Sequence, residues 1–332
     1  MHAVEPRTPA LDISDVTRLA ASDMQRVDDL IRTSLESDVD LVSSVAEHIV
    51  LSGGKRLRPM IVLLAARALD YRGSGHVTAA AIIEFIHTAT LLHDDVVDGS
   101  SMRRGRPSAN TVFGNQASVL VGDFLYSRSF QMMVGLGSMR IMEVLADATN
   151  TIAAGEVLQL MNVRDPDTTE DSYRQVIYRK TAKLFEAGAR IAAILADSDA
   201  NVEAAFKQYG RSLGTAFQLV DDVLDYTASV DDIGKNLGDD IAEGKPTLPI
   251  IVALREADAD GARLLREAVA SGGLDRLDEI RALIESTGAL QYTLARAEEA
   301  AESAIDSLAD IPESAHKEAL VALAEFSVKR RS

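Results

Sequence analysis

The 332-residue chain contains no cysteine and no tryptophan. The first absence excludes disulfides and thiolate chemistry and fits a reducing compartment, so a cytoplasmic location is expected. The second, with aromatic residues at only 5%, leaves few ring faces on which a cationic group could rest. Basic residues are also in deficit: 34 Lys and Arg against 51 Asp and Glu give a net charge of −17. A phosphate backbone demands a basic footprint, so no nucleic-acid partner is expected. Long apolar runs are missing too. The stretches Met60 to Ala66 and Ile250 to Leu254 fall far short of the ~20 residues a bilayer span requires, which leaves at most peripheral membrane contact. Residues 1–10 carry Glu5, Arg7 and two prolines but no apolar segment, and are expected to form a short flexible arm.

Proline is scarce, at 8 residues, while hydrophobic residues make up 47%. Ala/Leu/Glu/Arg-rich segments of 3.6-residue periodicity run almost end to end, with no linker composition, no β-type alternation and no internal repeat. The expectation is a single all-α domain over 1–332. Predicted helices cover 15–35, 42–51, a segment from Met60, 77–98, 117–134, 139–161, 172–195 and 202–226. Ser52-Gly53-Gly54 stops the second helix, and Lys55-Arg56-Leu57-Arg58-Pro59 is a basic turn. Residues 99–107 and 231–249 read as loops, and the remainder as acidic amphipathic helices that serve as scaffold.

Two clusters of one form stand out: Asp94-Asp95-Val96-Val97-Asp98 and Asp221-Asp222-Val223-Leu224-Asp225. Residues four apart share a helix face, so Asp94 aligns with Asp98 and Asp221 with Asp225. Both clusters lie in apolar sequence of the kind a core helix has. Two like charges ~5 Å apart repel by about 1 kcal/mol in water and about 3 kcal/mol at an effective dielectric of 20. Six carboxylates on a shared cavity therefore need compensation, and a hard divalent cation, Mg²⁺, supplies it together with substrate phosphates. Neither cluster is an EF-hand loop, because Val96 and Val223 stand where the third-position ligand belongs.

Basic residues follow each cluster: Arg103 and Arg104 after the first, Lys235 and Lys245 after the second. Carboxylates with nearby Lys and Arg suit a metal-bridged diphosphate, since Arg grips phosphate oxygens bidentately. His87 lies seven residues before Asp94, nearly two turns, and so shares its stripe. Gln218 stands similarly before Asp221. Lys55 and Arg58 suit a second diphosphate site. The terminal Lys329, Arg330 and Arg331 read instead as compensation for a helix dipole.

The motifs Gly53-Gly54-Lys55-Arg56-Leu57-Arg58-Pro59, Phe85 through Asp98, Arg103-Arg104-Gly105, Gly122-Asp123-Phe124, Lys180-Thr181, Gln218 through Asp225 and Gly244-Lys245-Pro246-Thr247 together resemble the trans-type polyprenyl diphosphate synthases. The likeness runs from Leu11 to Ser332 and is greatest to the octaprenyl members that serve quinone side-chain biosynthesis. It implies a large helical bundle enclosing an apolar tunnel, usually a homodimer. It implies that Asp94, Asp95, Asp98, Asp221, Asp222 and Asp225 hold Mg²⁺, and that Arg103, Lys180, Thr181, Gln218, Lys235 and Lys245 hold an allylic diphosphate primer such as farnesyl diphosphate. Lys55, Arg58, His87 and Arg104 match the isopentenyl diphosphate site. Gly99-Ser100 departs from the acidic residue that relatives often carry after the first cluster.

Two other readings use parts of the same pattern. A class I terpene cyclase shares the first aspartate motif, but not a second copy of it, and steers internal cations with aromatic faces. A noncatalytic subunit of a prenyltransferase would show degenerate clusters, and both are intact. For product length, the small Ala89 and Thr90 lie one turn below Asp94, where they let a growing tail pass. Met132 and Met133 on the neighbouring helix, the latter ~15 Å from Asp123, are candidates for the tunnel floor.

Overall fold

The computed structural model describes residues 11–50, 53–227 and 238–330. The expected amino-terminal arm and Lys235 lie outside the described residues. Among those described, the chain is all-α apart from one two-residue antiparallel ladder. Helices α1 (Ile13–Ser34), α2 (Asp40–Val50), α3 (Leu57–Ala68) and α4 (Gly75–Val97) come first. Then follow the ladder β1 (Met102–Arg103) and β2 (Arg106–Pro107), and α5 (Ala109–Phe113), α6 (Asn115–Gly135) and α7 (Met139–Asn162). Helices α8 (Glu170–Ile177), α9 (Lys183–Leu195) and α10 (Ala200–Thr227) complete the central bundle. The remaining helices are α11 (Asp239–Ala242), α12 (Leu248–Glu256), α13 (Ala259–Ser271), α14 (Leu277–Ser286), α15 (Ala289–Ser307) and α16 (Ala315–Lys329).

Most helix boundaries lie within a few residues of those the periodicity predicts, and the exceptions have local causes. Helix α1 starts at Ile13 because Asp12 accepts hydrogen bonds from Ser14 N at 2.8 Å and Asp15 N at 2.9 Å, an N-cap that uses otherwise orphaned donors. Helix α3 begins at Leu57, not Met60, so Arg58 and Pro59 lie inside its first turn, where proline removes no intrahelical bond. The segment expected to be a single helix over 172–195 contains a π turn at Tyr178–Ala182. Gly155 of α7 and Gly214 of α10 sit against that turn. A Cβ at Gly155 would lie 2.7 Å from Arg179 Cβ, and one at Gly214 would lie 2.7 Å from Ala182 Cα.

Helix α4 runs through the core, with Ile82, Ile83, Phe85, Ile86, Ala89 and Leu92 at or near zero exposure. Burying side chains of that size contributes about 1.5–3 kcal/mol each, so packing dominates over the propensity cost of its β-branched residues. Sequence reading by continuous runs underrates it. Among the described residues α4 alone is long and apolar enough to cross a bilayer, with a mean hydropathy of 1.3 over its best window. That window is 72% buried inside the protein, which accounts for the apolarity as core packing. The buried core joins α4 to α6, α7 and α9 on one side and α9 to α3, α10 and α16 on the other. A third cluster packs α12 to α15 under α8 and α10.

Candidate active site

The first aspartate cluster occupies the last turn of α4, where the helix emerges from the core. Asp94 and Asp98 keep 16% of their side-chain surface exposed, whereas Asp95 is fully buried. Each meets a cation. Lys180 Nζ lies 3.5 Å from Asp94 and 2.6 Å from Glu156 of α7. Lys245 Nζ donates to Asp98 at 2.8 Å and also pairs with Glu243. Burial alone would pull the Lys245 pKa down, but Asp98 and Glu243 outweigh it and push it up, so this side chain is a fixed positive charge. Arg103 Nε donates to Asp95 at 2.9 Å. Asp95 therefore faces away from the line of Asp94 and Asp98 and anchors the basic hairpin.

Residues 99–107, read as a loop, contain the β1/β2 ladder, with Met102 opposite Pro107 and Arg103 opposite Arg106. Arg104 and Gly105 turn it at φ 53° and 73°, the left-handed pair that a tight hairpin demands. Left-handed backbone at a non-glycine residue is strained and persists where its surroundings over-determine it. Here the Arg104 guanidinium donates to the carbonyl of Gly53. Gly54 could not be replaced without conflict, since a Cβ would stand 2.7 Å from that guanidinium carbon.

Beside this hairpin lies the second basic group. Arg58 Nη1 is 3.1 Å from His87 Nε2, and because arginine can only donate, Nε2 accepts and the ring proton sits on Nδ1. Burial, then Arg58 and Arg104, hold the His87 pKa well below the usual histidine value. Burial lowers the Arg58 pKa to about 10, with Glu84 and Asp221 opposing, so it stays charged at neutral pH. Arg56, at φ 50°, pairs with the buried Glu84. Burial and the neighbouring Arg330 lower the Lys55 pKa. A cluster of Lys55, Arg56, Arg58 and Arg104 around a neutral imidazole is a receptor for a multiply charged anion.

The second aspartate cluster lies in the last turns of α10. Asp222 is buried, receiving Gln218 Nε2 at 2.8 Å and the Tyr173 hydroxyl. Burial and then Asp240 raise its pKa well above the ordinary carboxylate value. Gln218 accepts in turn from Thr181 Oγ1 at 2.8 Å, which links the π turn to α10. Asp225 accepts from the Asp240 amide at 3.2 Å. Asp221 is the open member, 43% exposed, and pairs at 2.7 Å with Arg330. That contact corrects the reading of Arg330 as dipole compensation. Its guanidinium is 2% exposed, stacks 3.8 Å from the Phe217 ring centroid and donates to the Phe217 carbonyl at 2.6 Å.

The structure thus gathers Asp94, Asp98, Lys180, Lys245 and Arg103 on one side, and Gln218, Thr181, Asp221, Asp222 and Asp225 on the other. Lys55, Arg58, His87 and Arg104 form the adjoining anion receptor. Sequence reasoning missed Arg56, Glu84, Glu156, Tyr173, Glu243 and Arg330. Glu156 and Glu243 carry no motif and are identified only as the second partners of Lys180 and Lys245. Of the four chain-length candidates, Ala89 and Met133 are fully buried in the same core cluster. Thr90 and Met132 are only half-buried, and the Thr90 hydroxyl is spent on the carbonyl of His87 at 2.8 Å.

The donor set fits Mg²⁺ with one refinement. Among the described residues no three of the acidic or imidazole side chains converge as a ready cage. Mg²⁺ needs none, because it characteristically takes one or two carboxylates and completes its octahedron with water and substrate phosphate. Asp94 with Asp98, and Asp221 with Asp225, offer accessible oxygens one turn apart. Asp95 and Asp222, expected to join the ligand set, are instead engaged by Arg103 and by Tyr173 and Gln218. Burial on a helix flank explains this, since adjacent residues lie 100° apart and cannot share a face.

A family model described as polyprenyl synthetase matches residues 39–286. The chain is 53% identical over 321 residues to the octaprenyl diphosphate synthase of Haemophilus influenzae, covering 96% of this chain and 98% of that one. It is 45% identical to the geranyl-diphosphate-specific all-trans-nonaprenyl-diphosphate synthase of Rhodobacter capsulatus, over 95% of this chain and 97% of the relative. In structure it is similar to the polyprenyl synthase of Caulobacter crescentus, solved with calcium and isoprenyl diphosphate. The TM-score is 0.94, with 43% identity over 98% of this chain and 100% of that one.

Proposed function

The chain belongs to the polyprenyl synthetase family, and from that premise we propose how its two aspartate clusters and its basic receptor divide the work of prenyl transfer. It is a trans-prenyltransferase that condenses isopentenyl diphosphate repeatedly onto an allylic diphosphate to make a long-chain polyprenyl diphosphate. The product in this reading is octaprenyl diphosphate, built on a farnesyl primer for a quinone side chain. The single observation that carries the site assignment is the pairing of Asp94, Asp98 and Asp221 with Lys180, Lys245 and Arg330, an alternation of carboxylates and cations that suits a metal–diphosphate group.

Asp94, Asp98, Asp221 and Asp225 hold Mg²⁺, supported by the calcium and isoprenyl diphosphate in the Caulobacter crescentus relative. Bound there, the cation neutralises charge on the leaving diphosphate. Lys180, Lys245 and Arg103 bind the same diphosphate and stabilise the negative charge that develops as the allylic C–O bond breaks. Thr181 and Gln218 keep the π turn in register with α10. Lys235 completes this set by resemblance. Lys55, Arg58 and Arg104 bind the diphosphate of isopentenyl diphosphate, and the neutral His87 orients Arg58 without adding a charge. The double bond attacks the allylic cation, and the proton lost goes to the departing diphosphate, so no side chain need be a strong base.

A single domain over 1–332 and a cytoplasmic location complete the proposal, as does a homodimer. The dimer is supported by the apolar side chains Leu120 and Val134 on α6 and Met139, Val157, Leu160 and Met161 on α7, each more than 60% exposed or, for Val157, at 60%. Incorporation of radiolabelled isopentenyl diphosphate into acid-labile polyprenyl product, with farnesyl diphosphate as primer, tests the activity. A cyclised hydrocarbon would indicate a terpene cyclase, and no incorporation a noncatalytic subunit.

A further inference from the structure

Beside α10 lies a cavity of about 310 Å³, bounded also by α8 with the π turn and by α15. That volume is in the range of small-molecule sites. On α10 it is walled by Thr215 and Leu219, on either side of Gln218 in sequence, and it is also walled by Tyr178, two residues before Lys180; none of the aspartates lines it. Three arginines line it, Arg174, Arg211 and Arg296, in a chain whose net charge is −17. Arg211 has no carboxylate within ion-pair distance among the described residues. Its guanidinium rests 4.6 Å from the Tyr178 ring centroid, which holds it in place without neutralising it. Arg296 pairs with Glu299, yet its Nε is buried with no hydrogen-bond partner. Such an orphan donor carries a desolvation cost that a bound acceptor would remove.

We propose that this cavity is a second diphosphate site, separate from the catalytic cleft. Its arginines take the diphosphate head, and Ile177, Leu219 and Leu248 line the wall that a short apolar tail would contact. Guanidinium forks match phosphate oxygens bidentately; Arg174 is paired with Glu170 and Arg296 with Glu299, which leaves the Arg211 fork and the buried Arg296 Nε as the donors a diphosphate would take. The identity of the ligand rests on the prenyltransfer reading, since that reaction supplies two diphosphates: the released inorganic ion and the isoprenoid chains themselves.

Calorimetric titration with inorganic diphosphate in the presence of chelator tests the site. The wild-type chain should bind two equivalents per subunit, one in the Lys55 and Arg58 receptor and one in the cavity. Arg211→Gln and Ser303→Glu, the latter placing a carboxylate at the cavity wall, should each weaken one equivalent at least tenfold, with unchanged thermal melting and steady-state turnover. Lys55→Ala should remove the other. If both cavity variants leave two equivalents intact, or the wild type binds one that only Lys55→Ala removes, the proposal is overturned. If Lys55→Ala has no effect while Arg211→Gln does, the cavity stands and the isopentenyl assignment fails. In the Lys55→Ala background, isopentenyl diphosphate binding at least tenfold tighter than inorganic diphosphate supports the site with an isoprenoid ligand. Equal binding supports it with the released ion.

Discussion

Arg330, at the end of α16, closes on Asp221, the first aspartate of the second cluster, at 2.7 Å. The pair ties the carboxyl-terminal helix to the catalytic helix α10 through a guanidinium that also stacks on Phe217. Arg330→Ala should therefore lower kcat/KM by about 10- to 100-fold. The stability loss should be smaller, about 1 kcal/mol, because Asp221 is 43% exposed and solvent screens the broken pair. Steady-state kinetics beside thermal melting measure the two effects. Turnover equal to wild type would remove Arg330 from the site.

Asp94 and Asp95 are neighbours in sequence with different tasks. Asp94→Asn should raise the Mg²⁺ concentration for half-maximal activity and lower kcat by about 100- to 1000-fold. Asp95→Asn should leave the Mg²⁺ requirement nearly unchanged and act through Arg103, seen as a raised KM for the allylic primer. A magnesium titration of both variants checks this. Equal shifts in metal requirement would make Asp95 a ligand.

His87 supplies a pH signature. Burial and Arg58 hold its pKa well below 6.5 in the folded chain, so the unfolded chain binds this proton first. Folding stability from this residue is complete above about pH 6.5 and falls as the pH drops below it. Between about pH 7.5 and 5.5 the wild type should lose melting temperature relative to His87→Gln. Parallel melting profiles would show that the imidazole is not held neutral.

Gly155 sets the position of the π turn. In Gly155→Ala the new Cβ would lie 2.7 Å from Arg179 Cβ and 2.9 Å from the Lys180 amide. The turn must shift, at a cost of about 1–3 kcal/mol, and Lys180 should move off Asp94. Both a lower melting temperature and a lower kcat are expected. A stability loss with full kcat would separate the turn from catalysis.

Ala89 and Met133, buried in one cluster, carry the expectation for product length. Ala89→Phe should give products near the primer length, and Met133→Ala longer ones, by chromatography of the dephosphorylated alcohols. Unchanged lengths for both would place the tunnel elsewhere.

Both aspartate clusters, the helices that bear them and most of the basic residues gathered beside them were legible in the sequence, because i,i+4 spacing on apolar helices is a local property. What was hidden depends on packing. Arg330 reaches Asp221 only because α16 lies along α10 and α3. Asp95 and Asp222 turn away because Arg103 and Tyr173 arrive from distant segments. The π turn at Tyr178 leaves no residue signature, being set by the close approach of Gly155 and Gly214. The Arg104-Gly105 turn was visible as a dipeptide, and reading it as a two-residue hairpin turn would have found the ladder.

The central claim is repeated metal-dependent condensation, and the lengths of the products test it most directly. Purified protein given farnesyl diphosphate, excess isopentenyl diphosphate and Mg²⁺ should yield, after dephosphorylation, all-trans octaprenol as the main alcohol, and none in the presence of chelator. A product that stops after a single addition, or chain growth that continues in chelator, would contradict the account.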